Sequence, residues 1–179
     1  MARGRTWLAA ALVAAGVVGV ARAEVLEITG EFPARYREAS LLHSLSIDRF
    51  DFDGRNGTIA GRHRLVTFAS GEGAPNGLTV DSEGNLWAAA TGAGEVRCFT
   101  PDGHLIRRIG IATPGATSCA FGGADGGHLF ITSLGRRMPD VARSIGFSEA
   151  MMANDGPSAG DLFVCRPGCR GPAATPFAG

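Results

Sequence analysis

Residues that could take part in chemistry are scattered along this sequence, without a familiar catalytic motif around them. The chain has four histidines and four cysteines but no lysine, which excludes a Schiff-base amine. No two histidines are spaced as a His-x-x-x-His pair, which excludes the helical zinc signature of many metalloproteases. Any active site therefore depends on how the folded chain brings separate segments together.

The four cysteines fall into two pairs with different surroundings. Cys98 and Cys119 lie in apolar, strand-like runs, where a thiol usually packs as a small hydrophobic side chain. Cys165 and Cys169 flank an Arg-Pro-Gly turn, and they are candidates for a disulfide if the chain is exported. No second Cys or His pair accompanies them, which disfavours a zinc site at this turn.

Composition indicates a globular β protein without a nucleic-acid partner. Apolar residues make up 45% of the chain and charged residues 19%, which is ordinary for folded domains. The 17 basic residues, all Arg, balance 17 acidic ones and form no cluster of the kind that binds nucleic acid. The 27 glycines suit short strands joined by tight turns, because Gly accepts positive φ angles.

The first 23 residues have the features of a secretory signal. Two arginines precede an apolar run over 8–20, and Ala-Arg-Ala at 21–23 resembles a cleavage site. This pattern predicts a secreted or periplasmic protein, and the alternative is a misassigned start codon with a cytoplasmic chain. The apolar run of about 13 residues is shorter than the roughly 20 that a membrane-spanning helix needs, so no stable membrane span is expected.

The clearest repeat is a four-stranded antiparallel meander between Gly77 and Ile111. Its four predicted strands are 78–80, 86–91, 95–100 and 105–111, joined by turns at 81–85, 92–94 and 101–103. Gly, Asn and Pro in these turns favour chain reversal. A single meander cannot bury both of its faces, so it is expected to stack on copies of itself, as the blades of a β-propeller do.

Partial copies of this meander lie on both sides of it. The predicted strands of these copies are 47–52 and 64–68 upstream, and 118–121, 128–134 and 161–165 downstream, the last after a loop over 135–159. Residues 129–132 of the downstream copy follow their counterparts at 86–89 of the meander by 43 residues, a spacing typical of propeller blades. Residues 46–179 are therefore predicted to form an incomplete, all-β propeller, because closed rings have about four to eight blades.

Residues 24–45 match neither the signal nor the blades. Their only regular feature is a weak helical spacing through Tyr36, Ala39 and Leu42. The sequence therefore divides into a signal-like segment at 1–23, an unmatched segment at 24–45 and a partial propeller at 46–179.

The partial propeller resembles the SMP-30/gluconolactonase family. The segments that carry the resemblance are Pro-Asn-Gly-Leu-Thr-Val-Asp-Ser-Glu-Gly-Asn-Leu-Trp at 75–87, Thr-Ser-Cys-Ala-Phe-Gly-Gly at 117–123 and Gly-Asp-Leu-Phe at 160–163. NHL-type propellers share the first segment, so a binding or scaffold propeller without catalysis is the alternative interpretation. The second and third segments favour the hydrolase family.

The resemblance implies a six-bladed hydrolase that opens sugar lactones with a divalent ion on its axis, commonly calcium and possibly zinc. Family members hold this ion with a Glu, an Asn and the Asp of a Pro-Asp-Gly, and the ion polarises the lactone. Here Asn76 takes the place of that Asp, and the other two ligands have no counterpart. An amide oxygen can bind calcium but cannot accept a proton. The resemblance therefore implies Asn76 as a metal ligand, no catalytic residue, and a truncated relative that is inactive alone.

An incomplete ring also has consequences for assembly. Unpaired strand edges act as templates for pairing, and uncovered blade faces are apolar. The sequence therefore predicts self-association through open blade edges.

Overall fold

A computed structural model describes residues 46–53, 56–69, 71–135 and 156–173, together with the backbone of two strands near the N-terminus. Regular secondary structure in this part of the chain is entirely β. The strands are β1 Ala10–Val13, β2 Arg22–Thr29, β3 Ser46–Asp53, β4 Thr58–Thr67, β5 Ala74–Val80, β6 Leu86–Thr91, β7 Glu95–Phe99, β8 Leu105–Gly110, β9 Ala116–Gly122, β10 His128–Ser133 and β11 Leu162–Cys165.

These strands form three antiparallel sheets. The first sheet has the order β1-β2-β3-β4, the middle blade β5-β6-β7-β8, and the last sheet β11-β10-β9. The middle blade is the meander that the turn pattern predicts, and the last sheet joins β11 to β10 across the long intervening loop. The all-β, incomplete propeller predicted from the sequence is therefore confirmed.

The first sheet contains strands from the N-terminal segments as well as the two predicted outer strands. β2 pairs with the whole length of β3, from Arg22 opposite Asp53 to Thr29 opposite Ser46. The helical spacing predicted through Tyr36 and Leu42 lies outside the described residues, as does most of the loop at 135–159. Within the described part of the chain, no helix is long and apolar enough to cross a membrane.

Two apolar cores lie on either side of the middle blade, and β6 contributes to both. All six residues of β6 are buried. Leu86 and Ala88 belong to the core shared with the first sheet, while Trp87 and Ala89 belong to the core shared with the last sheet. Because side chains alternate along a strand, this continuous apolar run places one set on each face. Small alanines at the centre of β6 leave room for both neighbouring sheets.

Close backbone contacts join the sheets at two glycines. A Cβ at Gly77 in β5 would lie 2.7 Å from the Cα of Ser118 in β9, so these two strands touch. Gly103 has a φ of 84° in the turn after β7, and a Cβ there would lie 3.1 Å from the carbonyl carbon of Leu65 in the first sheet. Both positions therefore require glycine for sheet packing, and Gly103 also requires it for its left-handed backbone.

Candidate functional site

Asn76 begins a chain of hydrogen bonds that crosses from the middle blade to the last sheet. Its amide nitrogen, Nδ2, donates to Thr91 Oγ1 at 3.2 Å. Thr91 is 1% exposed, and its hydroxyl donates to the backbone carbonyl of Ala116 at 2.5 Å. Asn76 itself is exposed. The one residue that the family resemblance marks as a ligand is therefore anchored at one end of the blades, here called the Asn76 end.

This chain of bonds fixes which way the Asn76 amide faces. The single hydroxyl hydrogen of Thr91 is used on Ala116, so Thr91 Oγ1 can only accept from its other partner. The nitrogen of Asn76 must therefore face Thr91, which leaves the carbonyl oxygen, Oδ1, outside the chain of bonds. A carboxylate at position 76 could accept from Thr91 only if the Thr91 hydroxyl gave up its bond to Ala116. The observed hydrogen bonds therefore fit an amide at this position.

A strand irregularity places Asn76 in this position. The pairing of β5 with β6 shifts register between Pro75 and Leu78, so Asn76 and Gly77 stand outside the regular ladder. Irregularities of this kind re-aim side chains and are frequent near functional sites. The contact of Gly77 with Ser118 then holds this part of β5 against β9.

Arg97 anchors the loop that leads into β5. Its side chain is 5% exposed and forms a salt bridge with Glu95, Nε to Oε1, at 2.6 Å. Arg97 Nη2 donates to the backbone carbonyl of Glu72 at 2.8 Å, and the guanidinium lies 4.7 Å from the centre of the Phe68 ring. The loop residues 71–73 are therefore fastened to β7 through Glu72, which lies four residues before Asn76.

Residues Gly-Pro-Ser-Ala-Gly at 156–160 have the spacing Gly-x-Ser-x-Gly, so the interpretation that the sequence contains no familiar catalytic motif, this one included, is wrong at this point. In α/β-hydrolases this motif forms a sharp strand-to-helix turn that exposes the serine. Here 156–160 is a turn that precedes β11, and Gly160 N donates to Ser133 Oγ at 3.1 Å. No helix follows the motif within 161–173, so Ser158 lacks the backbone geometry of a nucleophile elbow.

Asn76 is the metal ligand that the family resemblance implies at this end. Asn76 Oδ1 is chemically suited to a hard cation such as calcium, which takes about six to eight oxygen ligands. Among the described residues, no group of three His, Cys, Asp or Glu side chains is placed to hold a metal ion. The part of the chain that the structure describes therefore does not form a complete calcium site.

The opposite end of the middle blade is organised by Asp81, which is 4% exposed. Its Oδ2 accepts from Trp87 Nε1 at 3.0 Å and from Asn85 Nδ2 at 3.1 Å. Its Oδ1 accepts from the backbone nitrogens of Glu83 at 3.0 Å and Asn85 at 2.9 Å. Burial alone would raise the pKa of Asp81, but these hydrogen bonds, led by that of Trp87, hold the pKa below its ordinary value. Asp81 is fully used in shaping the turn before β6.

His128 lies beside two charged residues, Asp125 three residues before it and Arg166, which is distant in sequence. Arg166 Nε donates to His128 Nε2 at 3.1 Å, and Arg166 Nη1 bonds to Asp125 Oδ2 at 3.0 Å. The backbone nitrogen of Gly127 and the guanidinium of Arg166 lower the pKa of Asp125. Sequence reasoning assigned His128 no partner, because Arg166 approaches it only when β11 pairs with β10.

The four cysteines converge on the core between the middle blade and the last sheet, and all four are unbridged. Cys98 and Cys119 are buried within this core, and Cys165 and Cys169 pack against it. Burial raises the pKa of the Cys98 and Cys119 thiols to about 12. The expectation that Cys98 and Cys119 are buried side chains is confirmed.

Comparison with curated proteins relates the chain to a single protein family. The model of the SMP-30/Gluconolactonase/LRE-like region matches residues 40–135, more than half of the chain. Regucalcin from Gallus gallus is 32% identical over 138 residues, covering 76% of this chain and 43% of that protein. Pentonolactonase XacC from Haloferax volcanii is 36% identical over 90 residues, covering 50% of this chain and 31% of the relative.

Solved structures show the same relationship. A luciferin-regenerating enzyme superimposes with a TM-score of 0.62 and 26% identity, covering 84% of this chain and 43% of that one. A calcium-binding regucalcin from Agrobacterium tumefaciens superimposes with a TM-score of 0.57 and 27% identity. The match covers 71% of this chain and 40% of the regucalcin chain. The chain thus spans less than half the length of these relatives. Its fold, its family match and its sequence identity agree: the chain belongs to the SMP-30/gluconolactonase/LRE-like family.

Proposed function

We propose that this chain is a sugar-lactone-binding relative of the family's hydrolases that does not open the lactone ring by itself. The observation that carries the proposal is the amide of Asn76, whose nitrogen is committed to Thr91 at 3.2 Å. Asn76 occupies the position where the family resemblance implies a carboxylate. An amide in this setting can orient a ligand through Oδ1, but it has no lone pair basic enough to take a proton from water.

The missing base has a large effect on rate. General acid–base catalysis typically contributes about 10²- to 10⁴-fold, and it requires a group whose pKa lies near the working pH. Thr91 cannot take over, since its hydroxyl hydrogen is held by Ala116 and the residue is buried. The surroundings of Asn76 therefore support binding and positioning of a polar ligand.

The relatives support a carbohydrate ligand and a divalent ion. One curated relative is a pentonolactonase, and one structural relative is described as calcium-binding. We propose a sugar lactone as the ligand and calcium as the ion, with Asn76 Oδ1 as one ligand atom. The remaining oxygens would come from residues beyond the described ones or from another chain.

Self-association is part of the same proposal. β11 is the edge of the last sheet, and its outward side chains Leu162 and Val164 are 63% and 57% exposed. Open edges and apolar faces of this kind favour pairing with other chains. Export through the signal-like segment at 1–23 likewise remains a prediction.

The test is a pair of measurements on the purified chain. Ring opening of several sugar lactones, followed with a pH indicator in excess calcium, should proceed at the uncatalysed rate. Calorimetry with a non-hydrolysable lactam or polyol analogue should show weak binding that Asn76→Ala abolishes and Thr91→Val weakens. Asn85→Ala, at the opposite end of the blade, is the matched control and should bind as the wild type does. Calcium-dependent ring opening by the wild type that disappears in Asn76→Ala would overturn the proposal.

A further inference from the structure

Three side chains form a row across the face of the middle blade that meets the last sheet. Trp87 in β6 pairs with Cys98 in β7, and Cys98 pairs with Arg107 in β8. Directly paired residues of antiparallel strands project to the same side of the sheet. Trp87 and Cys98 both lie in the core shared with the last sheet, so Arg107 faces the same way.

The chain segment after β11 crosses the end of this row. This segment, residues 166–171, is called the strap. Arg107 Nη1 donates to the carbonyl of Pro167, and Ser82 N donates to the carbonyl of Arg170 at 2.8 Å. Gly171 N donates to the carbonyl of Gly126 at 3.0 Å. The strap is therefore tied to the middle blade and to the last sheet.

Cys169 lies in the strap between these ties. It packs against the core that contains Cys98. Arg107, which pairs with Cys98 across β7 and β8, bonds to the carbonyl of Pro167, two residues before Cys169. Burial raises the pKa of both thiols. The two thiols therefore occupy one environment although 70 residues separate them in the sequence.

We propose that Cys98 and Cys169 form a disulfide under oxidising conditions, locking the strap onto the middle blade. The bond would join β7 to the segment after β11, and thus close the interface between the middle blade and the last sheet covalently. The four hydrogen bonds of the Asp81 carboxylate would stay in place.

Strand spacing disfavours two other pairings. Cys119 and Cys165 lie on β9 and β11, which flank β10, so their strands are about 9 to 10 Å apart. Cys98 and Cys119 lie on two sheets that face each other at about 10 Å. Bridged cysteines need Cα atoms within about 7 Å. Cys165 and Cys169, on either side of the Pro167-Gly168 turn, are one competing pair. The other two competing pairs are Cys98 with Cys165 and Cys119 with Cys169.

The reaction is a thiol–disulfide exchange with a small-molecule disulfide such as oxidised glutathione. Cys169 is the more exposed of the two thiols, so its thiolate attacks first, breaking the glutathione disulfide and releasing one glutathione thiolate. The Cys98 sulfur, after losing its proton to solvent, then attacks the mixed disulfide and releases the second glutathione. Both cysteine sulfurs are oxidised and both glutathione sulfurs are reduced, which balances the electrons.

Peptide mapping of the full chain tests the pairing directly. After incubation in oxidised glutathione at pH 8.5, free thiols are blocked and the chain is digested with trypsin. Cys98 then lies on peptide 98–107, Cys119 on 109–136, and Cys165 with Cys169 on 144–170. The expected product is peptide 98–107 linked to 144–170, with both peptides released by dithiothreitol.

Variants identify which cysteine of 144–170 is joined. Cys165→Ser should keep the cross-link and Cys169→Ser should lose it, while Cys119→Ser is the control that should leave it unchanged. The oxidised wild type should also unfold at a higher urea concentration than the reduced chain, and Cys169→Ser should lose this shift. A bridge within peptide 144–170, or four free thiols after prolonged oxidation, would overturn the proposal.

Discussion

Asp81→Asn should be among the most destabilising single-atom changes in the middle blade. The substitution replaces one carboxylate oxygen, which accepts hydrogen bonds, by an amide NH2 group. The hydrogens of that group would point at atoms that are themselves hydrogen-bond donors. Oδ2 of Asp81 accepts from Trp87 Nε1 at 3.0 Å and from Asn85 Nδ2 at 3.1 Å. Whichever way the new amide turns, one side of it meets hydrogen-bond donors and loses those bonds.

The magnitude follows from the burial of the partners. Trp87 is 2% exposed, so its indole N–H cannot turn to water when its acceptor is lost. A buried unsatisfied donor costs about 1 to 3 kcal/mol, and a hydrogen bond to a charged group contributes about 1.5 to 3 kcal/mol. Because these two contributions overlap, the free energy of unfolding should fall by about 2 to 3 kcal/mol. Asp102→Asn, in the exposed turn after β7, is the matched control and should change it by less than about 0.5 kcal/mol.

A double-mutant cycle with Trp87→Phe isolates the indole bond. Phenylalanine has no donor, so in its presence Asp81→Asn should cost about 1 to 2 kcal/mol less than in the wild type. Urea unfolding of the four proteins, followed by circular dichroism, measures this coupling. A coupling below about 0.5 kcal/mol would show that the indole bond does not account for the role of Asp81.

The same residue predicts a pH dependence. Because the pKa of Asp81 is lowered in the folded state, its contribution to stability is complete above the unfolded value of about 3.9 and is lost as pH falls through the folded value. The wild type should therefore lose more stability than Asp81→Asn when the pH is lowered from about 5 to below 4. Parallel pH profiles for the two proteins would contradict this assignment.

Three further predictions concern packing and reactivity. Gly77→Ala should lower the free energy of unfolding by about 2 kcal/mol or more, because its Cβ would lie 2.7 Å from the Cα of Ser118. Gly110→Ala is the control: a Cβ there meets nothing within 4 Å, so the substitution should be near neutral. Thermal unfolding measures both effects. Arg97→Met should raise amide hydrogen exchange at residues 71–73, because it removes the bonds to Glu72 and Glu95. Unchanged exchange there would show that these residues are held by other contacts. In a thiol-reagent assay at pH 8, Cys98 and Cys119 should react far more slowly than an unfolded cysteine, because burial raises their pKa to about 12. After unfolding in denaturant, the two thiols should react at the same rate.

Local sequence patterns determined the strands and turns of the middle blade. Turns rich in Gly, Pro and Asn at 81–85, 92–94 and 101–103 separate short apolar runs, and each of these signals acts within a few residues. The continuous apolar run of β6 likewise identifies a strand buried on both faces. Asn76 could also be singled out, because it stands within a family motif whose spacing is local.

The surroundings of Asn76 depend on the tertiary structure. Its partner Thr91 lies 15 residues away and the acceptor of Thr91 lies 25 residues further on, so no local pattern links them. The convergence of the cysteines and the contact of His128 with Arg166 arise in the same way, from the pairing of β11 with β10 across a long loop. The sequence by itself determined which residues form strands, since periodicity and turn chemistry are local. Only the tertiary structure decided which of these residues meet, because packing two sheets face to face selects among many pairings that are equally compatible with the local sequence.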